Sequence, residues 1–267
     1  MVATRLVVDD LGPGSLAMLR YLIGFLCLVP PLLLIGPRTR IAGRDLLPIA
    51  FLGIGQFGIL VVLINIGLAF VPSARAALIF ATMPLMAMML GAAIGREQLT
   101  AAKTIGVCFT IAGVALALGE KAFARDGEAW IGELAVAGSA LTGAVCSILY
   151  RPYLAKYPTL PVSALAMLAS VGALALLAAQ EGFFTAPPAL DAAGWATVLF
   201  IGISSGIGFF LWLYALSQTT PTRVTVFLAV SPVTAAFLGA LVLAEPISAG
   251  TIGGLAFVAL GLWVAHR

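Results

Sequence analysis

Charge is what this chain has least of. Lysine, arginine, aspartate and glutamate make up 9% of its 267 residues, against about 25% in a soluble domain. Too little polar surface remains to coat a water-soluble globule, so the composition excludes one and calls for a polytopic membrane protein. Histidine occurs once, as His266, next to last; a histidine-based triad or zinc site is excluded on inventory. Cysteine occurs three times, at Cys27, Cys108 and Cys146, always within an apolar run, and an odd set of intramembrane cysteines argues against a disulfide framework. The N-terminus lacks the small-residue cleavage site of a secretory signal, so none is expected. No catalytic residue, metal ligand or cofactor is expected, and nucleic acid is not among the expected partners.

Long apolar runs are what the chain has instead. They fall at 15–36, 48–69, 73–94, 101–119, 130–150, 161–180, 194–216, 222–244 and 249–265, each near the ~20 residues that span a bilayer as helix. The breaks are short and carry turn chemistry: "GPRTRIAGRD", "VPSAR", "GREQLT", "EKAFARDGE", "RPYLAKYPTLP", "EGFFTAPPALD", "TTPTR" and "AEPIS". The expected fold is all-α, with nine transmembrane helices. With the C-terminus in the cytoplasm, nine Lys and Arg residues fall inside and four outside, the sense of the positive-inside rule. The N-terminus then lies outside.

The two halves resemble each other. At an offset of 148, Arg75 meets Arg223, Pro84 meets Pro232, Gly91 meets Gly239 and Glu97 meets Glu245. Gly106 likewise meets Gly254, and Gly113 meets Gly261. Earlier in the chain the offset is 149: "LAML" at 16–19 matches 165–168, and Gly53-Ile54 matches Gly202-Ile203. Coincidence in Gly, Ala and Leu is cheap in apolar sequence, whereas Arg, Pro and Glu agreeing in one register are a repeat signal. The matching halves enter the membrane from opposite sides, the inverted repeat of secondary transporters. The expected boundaries are a first repeat at 1–119, a periplasmic linker at 120–129 and a second repeat at 130–267.

Several residues are candidates for function. Pro84 and Pro232 sit mid-run, where proline removes a backbone hydrogen bond and kinks the helix; the freed acceptors are expected to be the carbonyls of Phe80 and Leu228. They serve as paired hinges or as packing kinks. Ser139, Thr142, Cys146 and Tyr150 share one face of the 130–150 helix by their spacing. Gln56 lies in "GIGQFG", and Ser204 and Ser205 lie in the matching "GISSGIG". Trp212 and Tyr214 follow, while Thr82 and Ser231 flank the prolines. Together, Gln56, Thr82, Ser139, Thr142, Tyr150, Ser204, Ser205, Trp212, Tyr214 and Ser231 are the expected lining of a substrate cavity. The blander alternative has hydroxyls bonding back to their own helices and aromatics anchoring at the interface. Arg20, near the start of its run, is expected to snorkel outward. No carboxylate lies deep in any run, which favours facilitated or exchange transport over proton antiport.

Three stretches carry a resemblance to a known family. "LAMLRYLIGFLCLVPPLLL", the block from "GLAFVPSARAALIF" to "CFTIAGVALA", and the block from "YALSQTTPTRVTVF" to "AFVALGLWVA" resemble the EamA family of the drug/metabolite transporter superfamily. The resemblance covers nearly the whole chain and is not specific to substrate. It implies ten helices, as two inverted five-helix repeats around a central cavity. Here the second repeat has five and the first four; moving 130–150 back by 149 places the counterpart just before Met1. The opening "MVATRLVVDDLGPG" therefore reads as an interhelix loop. In the related small multidrug transporters the coupling carboxylate stands on that first helix.

The function so implied is a multi-pass inner-membrane permease or exporter of amino acids, metabolites or drugs, working by alternating access, and not an enzyme. Its partners are the lipid bilayer and a small-molecule substrate, with a homodimer allowed. The alternatives are an inactive truncated transporter or scaffold and an intramembrane lipid-modifying enzyme. Such an enzyme needs acidic metal ligands or a nucleophile–base pair near the membrane face, and the sequence shows no paired-Asp motif.

Overall fold

A computed structural model describes residues 2–35, 41–95, 101–118, 129–185, 190–218, 230–243 and 249–265. In chain order these form α1 (Val2–Arg5), α2 (Val8–Leu11), α3 (Pro13–Ile35), α4 (Gly43–Gly53), a π-helical turn (Ile54–Ile59), α5 (Leu60–Phe70), α6 (Ser73–Phe80), α7 (Met83–Ala93), α8 (Ala101–Leu118), α9 (Ala129–Lys156), α10 (Thr159–Gln180), α11 (Ala192–Gln218), α12 (Val230–Leu243) and α13 (Ala249–Ala265). No strand occurs among the described residues. Helix is the form that satisfies every backbone group within its own segment, as lipid requires.

Among the described residues, six helical segments are long and apolar enough to cross a membrane: Pro13–Leu34, Gly43–Phe70, Arg75–Ala93, Ala129–Lys156, Thr159–Gln180 and Ala192–Gln218. The other three expected spans appear as α8, α12 and α13, of 18, 14 and 17 described residues. Large apolar side chains project from the helices, Leu34 at 87% exposure and Leu33 at 75%; a surface of this kind suits lipid rather than water.

Two details depart from the sequence reading. The 73–94 run is not one helix kinked at its middle. It breaks at Ala81–Thr82, and Pro84 falls in the first turn of α7, where the missing N–H costs no helical bond. The opening stretch is not open loop either. Its α1 and α2 are single turns, and Val7, Val8 and Leu11 are buried with Leu16, Val198 and Ile201. Gly12, at φ 78°, turns the chain into α3.

The chain divides into two compact units. One comprises 66–145 and 221–267 with the first two residues. In it α8 packs along α13, and α6 packs on α8, α12 and α13. Arg75 pairs with Glu133 at 3.2 Å, both side chains largely covered.

The other unit comprises 3–65 and 146–220. In it α3 packs on α10 and α11, and α4 and the π turn pack on α10. Two polar clasps hold this unit. Glu181, just past α10, accepts bonds from the Gly14 and Ser15 amides at 2.8 and 2.7 Å and from the Ser15 hydroxyl at 2.5 Å. A carboxylate there satisfies orphan N–H groups and complements the dipole of α3. Asp45, in the first turn of α4, pairs with Lys156 and accepts a bond from the Tyr157 hydroxyl at 2.5 Å. That hydroxyl in turn accepts one from the Ala42 amide at 3.2 Å.

A polar and aromatic cluster around the π turn

The segment "IGQFGI" (54–59) is π-helical. Such turns are rare and favour functional sites. Here the turn is the meeting point of its unit. A Cβ built on Gly55 would lie 3.0 Å from the Cys146 sulfur on α9, and one on Gly58 would lie 3.4 Å from the Ser170 hydroxyl on α10. Phe57 is fully buried and packs edge-on against Phe209 of α11, with centroids 4.7 Å apart. It also packs against Tyr21 of α3, at 5.1 Å. Tyr21 and Phe209 are 5.6 Å apart, closing a three-ring cluster.

Polar atoms of the same unit stand unsatisfied. The hydroxyls of Tyr21, Tyr150 and Ser170 and the amide oxygens of Gln56 and Asn65 are buried and make no hydrogen bond among the described residues. The Tyr21 and Tyr150 hydroxyls are close enough to interact electrostatically. Asn65 uses its amide nitrogen, which donates to the Pro13 carbonyl at 2.9 Å. Buried polar atoms are nearly always paired with protein or water, and leaving one unpaired costs about 1–3 kcal/mol. Five such atoms lie in this one unit. Against the same face of α11, one turn before Phe209, Ser205 accepts a hydrogen bond from the Nε of Arg20 at 2.8 Å. Arg20 therefore turns toward α11, and this bond rather than snorkelling sets its direction.

Helices with lipid-facing leucines, built on a repeat and enclosing unsatisfied oxygens, call for comparison with known carriers. Residues 1–119 and 130–266 match the EamA-like transporter family. The chain belongs to that family. A probable terminal-alkyne amino-acid exporter of Streptantibioticus cattleyicolor is 31% identical over 99% of this chain and 88% of its own length. An uncharacterized transporter of Archaeoglobus fulgidus is 27% identical over 99% of this chain and 92% of its own. The uncharacterized transporter YoaV of Bacillus subtilis is 26% identical over 98% and 90%. One solved crystal structure, 25% identical, superposes with a TM-score of 0.74 over 100% of this chain and 94% of that one. This is a helical membrane transporter with an inverted repeat.

The candidate residues of this EamA-like transporter do not all fall together. Gln56, Tyr150, Ser204, Ser205, Trp212 and Tyr214 lie in the unit that holds the π turn, and Thr82, Pro84, Ser139 and Thr142 lie in the other. Gln56, Tyr150 and Ser205 belong to the cluster. Ser204 bonds back to the Phe200 carbonyl, Thr82 to Ile79 at 2.7 Å and Thr142 to Gly138 at 2.8 Å. Ser139 is buried and Trp212 half-buried. Tyr214 stacks on Phe210 and lines a cleft of about 490 Å³ with Tyr157, Ser217 and Gln218. Ser231 and Pro232 stand in the first turn of α12, but their side chains lie outside the described residues, as does the expected linker up to residue 128. Sequence reasoning missed Tyr21, Asn65 and Ser170. Each is a polar residue inside an apolar run, which was the available signal. Phe57 and Phe209 gave none.

Proposed function

We propose that this transporter moves small organic solutes, amino acids, metabolites or drugs, across the inner (plasma) membrane by alternating access, its C-terminus in the cytoplasm. The observation that carries this reading is the set of buried, unsatisfied oxygens around the π turn, set against three aromatic rings. Apolar walls with a few convergent polar groups are what an organic solute site requires. Gln56, Tyr150 and Ser205 are its side chains from the original candidates, joined by Tyr21 and Ser170. The repeats, 1–119 and 130–267, supply two similar halves whose conformations interchange, so that opening to one side mirrors opening to the other. The helix break beside Pro84 is the hinge of the first half, with Pro232 its counterpart.

Transport is facilitated or by exchange. Among the described residues, Asp9 and Asp10 lie in the single-turn α2 ahead of α3, Asp45, Glu181 and Asp191 sit at helix ends, and Glu133 is engaged by Arg75. The test is uptake by proteoliposomes across a panel of amino acids, cationic drugs and organic acids. At least one class is expected to enter faster than into protein-free vesicles, with a rate indifferent to an imposed pH gradient. If a preparation that melts cooperatively in detergent moves no solute of the panel, the reading fails.

A further inference from the structure

We infer that Arg20 is the anion-binding group of this transporter and that its solutes carry a carboxylate. The inference rests on the transport reading and narrows it. Arg20 lies seven residues into α3, roughly 10 Å along the helix axis and about a third of the way through a 30 Å hydrocarbon core. Its side chain is half-buried. A guanidinium stays charged at any physiological pH, and a charge at that depth is retained when it has a counter-charge or a task. Arg20 has no counter-charge: no carboxylate among the described residues pairs with it, and its one polar bond is Nε to the Ser205 hydroxyl.

That single bond is informative. It consumes Nε, fixes the plane of the guanidinium against α11, and leaves the two terminal nitrogens without a partner among the described residues. Their paired N–H groups form the fork that takes a carboxylate through two parallel hydrogen bonds. One turn further along, α3 and α11 come into backbone contact: a Cβ built on Gly206 would lie 2.6 Å from the Cα of Gly24. The guanidinium thus sits just before the closest approach of the two helices. Beside it, one turn on along α11, stand Phe209, Tyr21 and Phe57, which accept an apolar body. The Gln56 amide oxygen, next in sequence to Phe57, and the tyrosine hydroxyls remain for an amine or hydroxyl on the same solute. Head, body and second polar group make an amphipathic carboxylate.

The test is uptake into proteoliposomes of L-phenylalanine, L-leucine and 3-phenylpropionate, each beside its carboxamide, with phenethylamine as the cation lacking an acid. At least one acid is expected to enter tenfold or more faster than its amide. Arg20→Gln should bring that acid down to the rate of its amide, Arg20→Lys should restore part of it, and Ser205→Ala should raise KM several-fold with kcat unchanged. Because the acid–amide comparison uses the unaltered protein, it stands even if Arg20→Gln does not fold. Equal entry of every acid and its amide, or an Arg20→Gln protein that moves acids at the original rate, overturns the inference. Entry of phenethylamine and the amides in preference to the acids overturns it while leaving the transport reading intact. A protein that moves none of these, nor any solute of the wider panel, ends both.

Discussion

Gly261 packs so closely on the carbonyl oxygen of Gly106 that a Cβ built on it would lie 2.6 Å away. Gly113 packs on the carbonyl oxygen of Gly254 in the same way, at 2.8 Å. The two contacts exchange repeat counterparts, since Gly106 corresponds to Gly254 and Gly113 to Gly261. They also advance in opposite directions along α8 and α13, so the helices are antiparallel. Contact i-to-j answered by contact j-to-i is the mark of a self-complementary interface, here within one chain. Membrane helices gain little from expelling water and associate through close backbone packing at small residues, which is why glycine stands at 113 and 261.

Gly113→Ala and Gly261→Ala should therefore cost alike. Overpacking of a tight contact costs about 1–3 kcal/mol, and the two melting temperatures in detergent should fall by similar amounts. If one of the two tolerated alanine without loss, the reciprocity would be broken.

Glu181→Ala should loosen the start of α3. Losing a helix cap costs about 0.5–2 kcal/mol, and the effect should be local. Hydrogen exchange at the Gly14 and Ser15 amides is the direct measurement, since both donate to this carboxylate. Unchanged protection there would show that water replaces the carboxylate without penalty.

Gln56→Leu should separate stability from function. Its buried amide oxygen is unsatisfied, and removing such a group relieves about 1–3 kcal/mol of desolvation. The variant should melt at an equal or higher temperature while transport falls at least tenfold. A variant that is both less stable and fully active would remove Gln56 from the site.

Pro84→Ala should stiffen the break between α6 and α7. Restoring the missing N–H lets the helix run on through Phe80, and the Thr82 bond to the Ile79 carbonyl loses its purpose. Turnover should drop about tenfold, equivalent to ~1.4 kcal/mol on the barrier, with KM unchanged. A lower affinity at constant turnover would instead place Pro84 in the binding site.

The fold was legible because lipid imposes a length on every span, and the runs of the sequence obey it. Gln56 was legible because an amide among glycines and aliphatics has few structural uses. Arg20's direction was not: its acceptor lies 185 positions away, and helices that are apolar all round do not announce which face meets protein and which meets lipid. The same reason hid Phe57 and Phe209 among the lipid-facing aromatics. Glu181 read as loop because its role depends on a helix start 166 residues earlier.

The π turn has a consequence for the history of the two halves. The offset between them is 149 up to Ile54 and 148 from Arg75 onward, so the first half carries one residue more in that interval. A π turn is how a helix accepts one extra residue while keeping its course, and α11, the counterpart helix, is α-helical throughout. In this interval the first half is longer by one amino acid, and the wider turn beside its buried glutamine accommodates one. Deleting it would rotate Leu60–Phe70 by about 100° and swing Asn65 off the Pro13 carbonyl. An insertion that breaks the symmetry of the repeat is also what gives one half a feature the other does not have.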